Sequence, residues 1–154
     1  MGLGPLSLLQ RVLLVSDGTV TDIVEAAFEE PVRLVKLSVE TMAAAELIAA
    51  LGIAVGDQLM RREILLQGAS TGITYVHAET LIALAALPPG FREELLETDA
   101  PIGRLWAQHQ LETRKEMLRI WRGPEGRLAR TYRVFSSGRP IILITEQFPE
   151  ASTS

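Results

Sequence analysis

Two segments of the chain each set one ionisable residue on an otherwise apolar, strand-like face. In Met60-Arg61-Arg62-Glu63-Ile64-Leu65-Leu66, alternation puts Arg62 on the same face as Ile64 and Leu66. In Pro140-Ile141-Ile142-Leu143-Ile144-Thr145-Glu146-Gln147-Phe148 it puts Glu146 beside Ile142 and Ile144. A guanidinium or a carboxylate among branched aliphatics is costly unless it meets a partner. The two can form a structural ion pair, or each can meet a ligand. Arg62 can grip a carboxylate through two parallel hydrogen bonds, which fixes orientation as well as adding affinity. Glu146 can accept a hydrogen bond from a hydroxyl and repel a second carboxylate. Arg61, next to Arg62, points to the opposite face and reads as a solvated or edge arginine.

Other chemistries find little support. The two histidines, His77 and His109, lie far apart, there is no cysteine, and no H-x-x-H or H-E-x-x-H occurs. Nothing therefore suggests a protein-bound metal, a thiolate or a disulfide framework. Neither G-x-x-x-x-G-K-[ST] nor G-x-G-x-x-G is present to cradle phosphates, and no G-x-S-x-G elbow suggests a hydrolase. An enzyme built from these residues works without a cofactor. His77, on a strand beside Tyr75, is weighed as a general base but reads better as a partly buried structural histidine. Trp106, Trp121 and Phe91 read as core or lid-packing aromatics.

The elements that must position Arg62 and Glu146 follow from local patterning. The 154 residues suit one domain, 47% apolar and 22% charged, with a net charge of −4 and scattered basic residues. That balance argues against nucleic acid or an anionic membrane as main partner, while leaving room for an anionic small molecule. The apolar run Leu8 to Val15 allows either helix or strand. Met1 to Val15 lacks a basic leader and is interrupted short of a spanning length, so a soluble, cytoplasmic protein is the expectation. Asp17-Gly18-Thr19 reads as a turn and Val32 to Val39 as a strand. Glu40 to Leu51, rich in alanine and leucine and closed by Gly52, reads as a helix.

The Arg62 strand, a turn over Gly68 to Gly72 and a partner from Ile73 to Ala78 form a hairpin. Thr80 to Leu87 can continue as extended chain or as a short helix. Phe91 to Glu97 reads as a short acidic helix, and Pro101 suits the first turn of another, through Ala107. The stretch His109 to Arg122 shows a helical stripe in Leu111, Met117, Leu118 and Trp121. Leu128 to Phe135 and Arg139 to Phe148 form a hairpin about Ser136-Ser137-Gly138. Strands joined by hairpins, with helices inserted between them, indicate an α+β domain with a single antiparallel sheet.

Several of these segments carry a resemblance. S-D-G-T-V-T at 16–21, R-E-I-L-L at 62–66, P-I-G-R-L at 101–105 and S-G-R-P-I-I-L-I-T-E-Q-F at 137–148 occur in that order. Together they resemble the chorismate pyruvate-lyase (4-hydroxybenzoate synthase) family, from near Leu14 to Phe148. The resemblance implies a strand over His109–Arg122, against its helical stripe. It implies a cofactor-independent lyase converting chorismate to 4-hydroxybenzoate and pyruvate. Arg62 would hold the ring carboxylate and Glu146 would meet the hydroxyl end. Backbone N–H groups near Val20 and Ile102 would complete the carboxylate site, with Gly103 allowing close approach. Helices around Glu40–Leu51 and Phe91–Ala107 would act as lids, with product release limiting turnover. The alternatives are a non-catalytic binding domain for aromatic carboxylates, related to effector domains of transcription regulators, and a lyase giving another hydroxybenzoate isomer. The short lead-in before the match leaves no room for the DNA-binding helix-turn-helix that normally accompanies such regulators.

Overall fold

The computed structural model describes residues 6–15, 20–97, 105, 107–110 and 112–148. Two short helices, α1 (Leu8–Val15) and α2 (Val20–Phe28), precede the first strand. Ser7 starts α1 with a reciprocal cap: its hydroxyl accepts from Gln10 N at 3.1 Å, and its own N–H donates to Gln10 Oε1 at 2.9 Å. This S-x-x-Q capping box settles the apolar run as helix. Strands β1 (Val32–Ala43), β2 (Gln58–Gly68) and β3 (Thr74–Ala83) follow. Helix α3 (Pro89–Glu97) begins on a proline, whose missing N–H costs nothing in a first turn. Strands β4 (Thr113–Arg122), β5 (Leu128–Ser136) and β6 (Arg139–Phe148) complete the chain.

The six strands form one antiparallel sheet in the order β1-β2-β3-β6-β5-β4. Two consecutive three-stranded units thus meet along β3 and β6. Ser137 and Gly138, both at positive φ, make the two-residue turn that joins β5 to β6. Each edge strand carries a bulge. Leu37 is the extra residue in β1, and Leu118 is the extra residue in β4.

One face of the sheet bears two apolar clusters. Leu13, Val20 and Val24 of α1 and α2 pack on Leu66, Val76, Ala78, Leu128 and Phe148. Phe91 and Leu95 of α3, with Leu105, pack on Met60, Ile82, Val134, Ile142 and Ile144. Burying side chains of this size is worth about 1.5–3 kcal/mol each. A third, smaller cluster of Ala44, Leu51, Ile53, Leu59 and Ala83 forms where the β1–β2 connection folds back.

Two expectations change. Glu40 to Leu51 is not a helix: β1 runs on to Ala43, with Glu40 opposite Arg61 and Met42 opposite Leu59. Only a 3-10 turn over Ala49–Leu51 remains, ended by Gly52 at φ 63°. Pairing with β2 outweighs the helix preference of the alanines, and the first expected lid is absent. Conversely, the helical stripe at Met117, Leu118 and Trp121 lies on β4, the strand that the resemblance implied. The turn at Asp17-Gly18-Thr19 and the helix start at Pro101 lie outside the described residues.

The β2–β3 turn is tied to the helical layer through Glu30. This buried carboxylate accepts hydrogen bonds from Ser70 N (2.9 Å), Thr71 N (3.1 Å), Thr71 Oγ1 (2.8 Å) and the Tyr75 hydroxyl (2.5 Å). The Tyr75 bond above all, then those from Thr71 and Ser70, hold its pKa down at about 2 although burial works the other way. Gly68 makes the approach possible, since a Cβ there would collide with the Glu30 carboxylate.

Candidate active site

Cross-strand partners in an antiparallel sheet point to the same side, so the register identifies which residues share the helix-covered face. One row reads Ile64 (β2), Ala78 (β3), Glu146 (β6), Arg130 (β5) and Ile120 (β4). The next row reads Arg62, Thr80, Ile144, Tyr132 and Met117. Arg62 and Glu146 therefore lie on one face in neighbouring rows, with β3 between their strands. Both are buried, at 2% and 7% exposure. At the spacing of hydrogen-bonded strands, β2 and β6 stand about 10 Å apart. Between them the face carries only the small side chains Ala78 and Thr80. The polar residues of these rows occupy a seam between the two apolar clusters, one roofed by α1 and α2 and the other by α3.

Arg61 points away, as its strand position requires, and donates to Glu79 Oε2 at 2.7 Å on the opposite face. His77 is on that face too, partly buried, with its Nε2 2.8 Å from Glu63 Oε2.

Glu146 has a partner that sequence reasoning missed. Arg130 Nε donates to its Oε1 at 2.7 Å. Arg133 sits on the opposite face and bonds to Glu116 Oε1 and to the Ala50 carbonyl. Arg130 is fully buried, its guanidinium 4.8 Å from the centre of the Tyr132 ring. The Tyr132 hydroxyl makes a long, 3.5 Å approach to Glu146 Oε2. Burial, and then the Glu146 charge, push the Tyr132 phenol well above its ordinary range, so it stays a neutral donor. Leu128, Arg130, Tyr132 and Val134 alternate in sequence just as Ile142, Ile144 and Glu146 do. The same signal that picks out Glu146 is therefore present for Arg130.

Val20 begins α2 and is buried in the cluster with Ala78 and Leu66. The leading N–H groups of a helix have no partner within it, which makes such a start suited to an anion. Ile102 and Gly103 lie outside the described residues. Among the described residues no group of three or more His, Cys, Asp or Glu side chains could hold a metal ion, and no helix is long and apolar enough to cross a membrane.

This face offers a buried guanidinium at one side, small residues in the middle and an ion-paired carboxylate at the other. A flat ring with a carboxylate at one end and a hydroxyl at the other matches that order.

Residues 14–153 match the family described as chorismate pyruvate-lyase Rv2949c-like. The chorismate pyruvate-lyase of Mycobacterium leprae is 30% identical over 152 residues, which cover 90% of this chain and 72% of the relative. That of Mycobacterium tuberculosis (strain ATCC 25618 / H37Rv) is 28% identical over 158 residues, covering 90% and 78%. Among solved structures, the effector domain of PhnF from Mycobacterium smegmatis superposes with a TM-score of 0.67 at 13% identity, covering 91% of this chain and 93% of that one. The C-terminal domain of the histidine utilization repressor from Pseudomonas syringae gives a TM-score of 0.57 at 14% identity, covering 80% and 94%. At these identities the structures share the fold.

Proposed function

Because the chain belongs to the Rv2949c-like chorismate pyruvate-lyase family, and is a lyase by that membership, we propose that it converts chorismate to 4-hydroxybenzoate and pyruvate without a cofactor. The observation that supports this reading is the placement of Arg62 and Glu146 on one buried face, with only Ala78 and Thr80 between. Arg62 takes the ring carboxylate, joined by the backbone near Val20 and, by the family pattern, by Ile102 and Gly103. Glu146 accepts the hydrogen bond of the ring hydroxyl. The ring lies over Ala78 and Thr80.

The chemistry needs no electron acceptor. The hydrogen on the hydroxyl-bearing ring carbon moves to the methylene of the enolpyruvyl arm, which becomes the methyl of pyruvate. The ether bond to the ring breaks, its oxygen becomes the keto oxygen, and the ring becomes aromatic. The protein's task is to hold the arm over the ring in a reactive pose and exclude water. Glu146, its charge already matched by Arg130, suits orientation rather than proton abstraction.

The test is to incubate the pure protein with chorismate and follow 4-hydroxybenzoate and pyruvate by chromatography. Equal amounts of the two are expected. Another hydroxybenzoate isomer would keep the lyase and overturn the assignment of Glu146 to the para hydroxyl. Tight binding of hydroxybenzoate with no turnover would favour a non-catalytic binding domain, the reading that the likeness to effector-domain folds supports.

A further inference from the structure

Chorismate carries two carboxylates, and the site described so far answers only one of them. Arg62 faces the ring carboxylate, while Glu146 brings a third negative charge to the far end. The enolpyruvyl arm hangs from the ring carbon next to the hydroxyl-bearing one, so its carboxylate arrives at the Glu146 end. Without a cation there, two carboxylates would meet in a buried place, which is strongly unfavourable.

Among the described residues, Arg62, Lys115, Arg122 and Arg130 share this face within two strands of Glu146, and Arg122 is exposed and donates to the Gly126 carbonyl at 2.8 Å. Arg62 is two strands from Glu146. Lys115 stands at the rim on β4, its ammonium 4.8 Å from the centre of the Tyr132 ring. Arg130 is fully buried and directly opposite Glu146 in the register, on the side away from Arg62. Its Nε is engaged by Glu146 at 2.7 Å, and its guanidinium carbon lies 4.8 Å from the centre of the Tyr132 ring. A guanidinium has five N–H donors, enough to serve Glu146 and a further acceptor at once.

We propose that Arg130 is a second anion-binding residue of this site, holding Glu146 through Nε and receiving the carboxylate of the substrate's enolpyruvyl arm on its terminal N–H groups. The proposal rests on the lyase reading and adds a residue and a substrate group to it. It explains how a site can place an anionic Glu146 beside an anionic arm. After cleavage, pyruvate keeps its carboxylate at Arg130 while 4-hydroxybenzoate keeps its own at Arg62.

Binding, rather than turnover, tests this. The probe is 3-(carboxymethoxy)-4-hydroxybenzoate, a stable ring with the para hydroxyl and an ether-linked second carboxylate; 4-hydroxybenzoate and benzoate are the comparators. Calorimetry on Arg130→Met should show the diacid weakened about ten- to hundred-fold more than 4-hydroxybenzoate, the scale of one hydrogen bond to a charged group. Benzoate should bind as before, and Arg130→Lys should recover part of the loss. The double variant Arg130→Met/Glu146→Gln leaves neither buried charge unpaired and so protects the fold. Measured against Glu146→Gln alone, it should show the same selective loss. Equal losses for diacid and 4-hydroxybenzoate would refute the proposal alone, leaving Arg130 to act only through Glu146. A selective loss in Lys115→Met instead of Arg130→Met would refute it as well. Wild-type protein that bound neither probe would refute the lyase reading, and the proposal with it.

Discussion

Arg62 and Glu146 occupy neighbouring rows of the same buried sheet face, on strands separated by β3 alone, where Ala78 and Thr80 leave the ground between them low. Glu146 is held on its other side by Arg130, directly across the β6–β5 register. The separation and the small residues, more than either charge, give the face the dimensions of a ring.

Arg62→Ala should remove most of the lyase activity and raise KM sharply, because the substrate loses its charged anchor inside an apolar pocket. Arg61→Ala should do far less. It breaks a half-exposed pair with Glu79 on the opposite face, and such surface pairs contribute little. Steady-state kinetics on both variants decides the matter. A reversed order would mean that the ligand sits on the other face of the sheet.

Ala78→Leu should block the ring while sparing the fold. Ala78 is buried beneath the proposed ring position, and overpacking a core site costs about 1–3 kcal/mol. Loss of 4-hydroxybenzoate binding in a variant that still unfolds cooperatively is the expected result. Undiminished binding would place the ring elsewhere.

Glu146→Gln separates orientation from acid–base work. An amide keeps an acceptor oxygen, so an orienting role predicts a rate loss of about ten- to hundred-fold, the size of one weakened charged hydrogen bond at roughly 1.5–3 kcal/mol. An obligatory base would instead leave turnover lower by several further orders, with the acid limb of the pH–rate profile gone. A collapse of that kind in a variant still binding 4-hydroxybenzoate normally would overturn internal proton transfer.

The Glu30 knot makes stability depend on acid pH. Its carboxyl titrates at about 2 in the fold against 4.5 when free, so its contribution is complete above pH 4.5 and drains away as pH falls towards 2. Glu30→Gln should therefore be less stable near neutrality and show a shallower decline below pH 4.5, by up to one proton. Urea midpoints at pH 7 and pH 3 measure both. Parallel declines in the two proteins would exclude Glu30 as the source.

Alternation alone makes the faces of β2 and β6 legible in the sequence, and with them Arg62, Glu146 and the outward turn of Arg61. Arg130 carries the same mark, but its bond to Glu146 follows only from the register of β5 on β6, which a hairpin pattern leaves open. Register is a long-range fact: that Ala78 and Thr80 separate the two charges depends on β3 lying between β2 and β6, which no local pattern states. Glu40 to Leu51 misleads for the opposite reason, since its alanines speak for helix locally while β2 offers a strand to pair with. In β4 the apolar spacing suits a helix only because one inserted residue, Leu118, shifts the strand's alternation.

That inserted residue and its counterpart Leu37 bear on how the sheet stops. The outer edges of β1 and β4, 12 and 10 residues long, present backbone donors and acceptors that a passing strand could match. A bulge interrupts the spacing of those groups and sharpens the local twist, so a straight incoming strand can register with one half of the edge but not with both. The six strands thus carry their own terminators against edge-to-edge addition of a further strand.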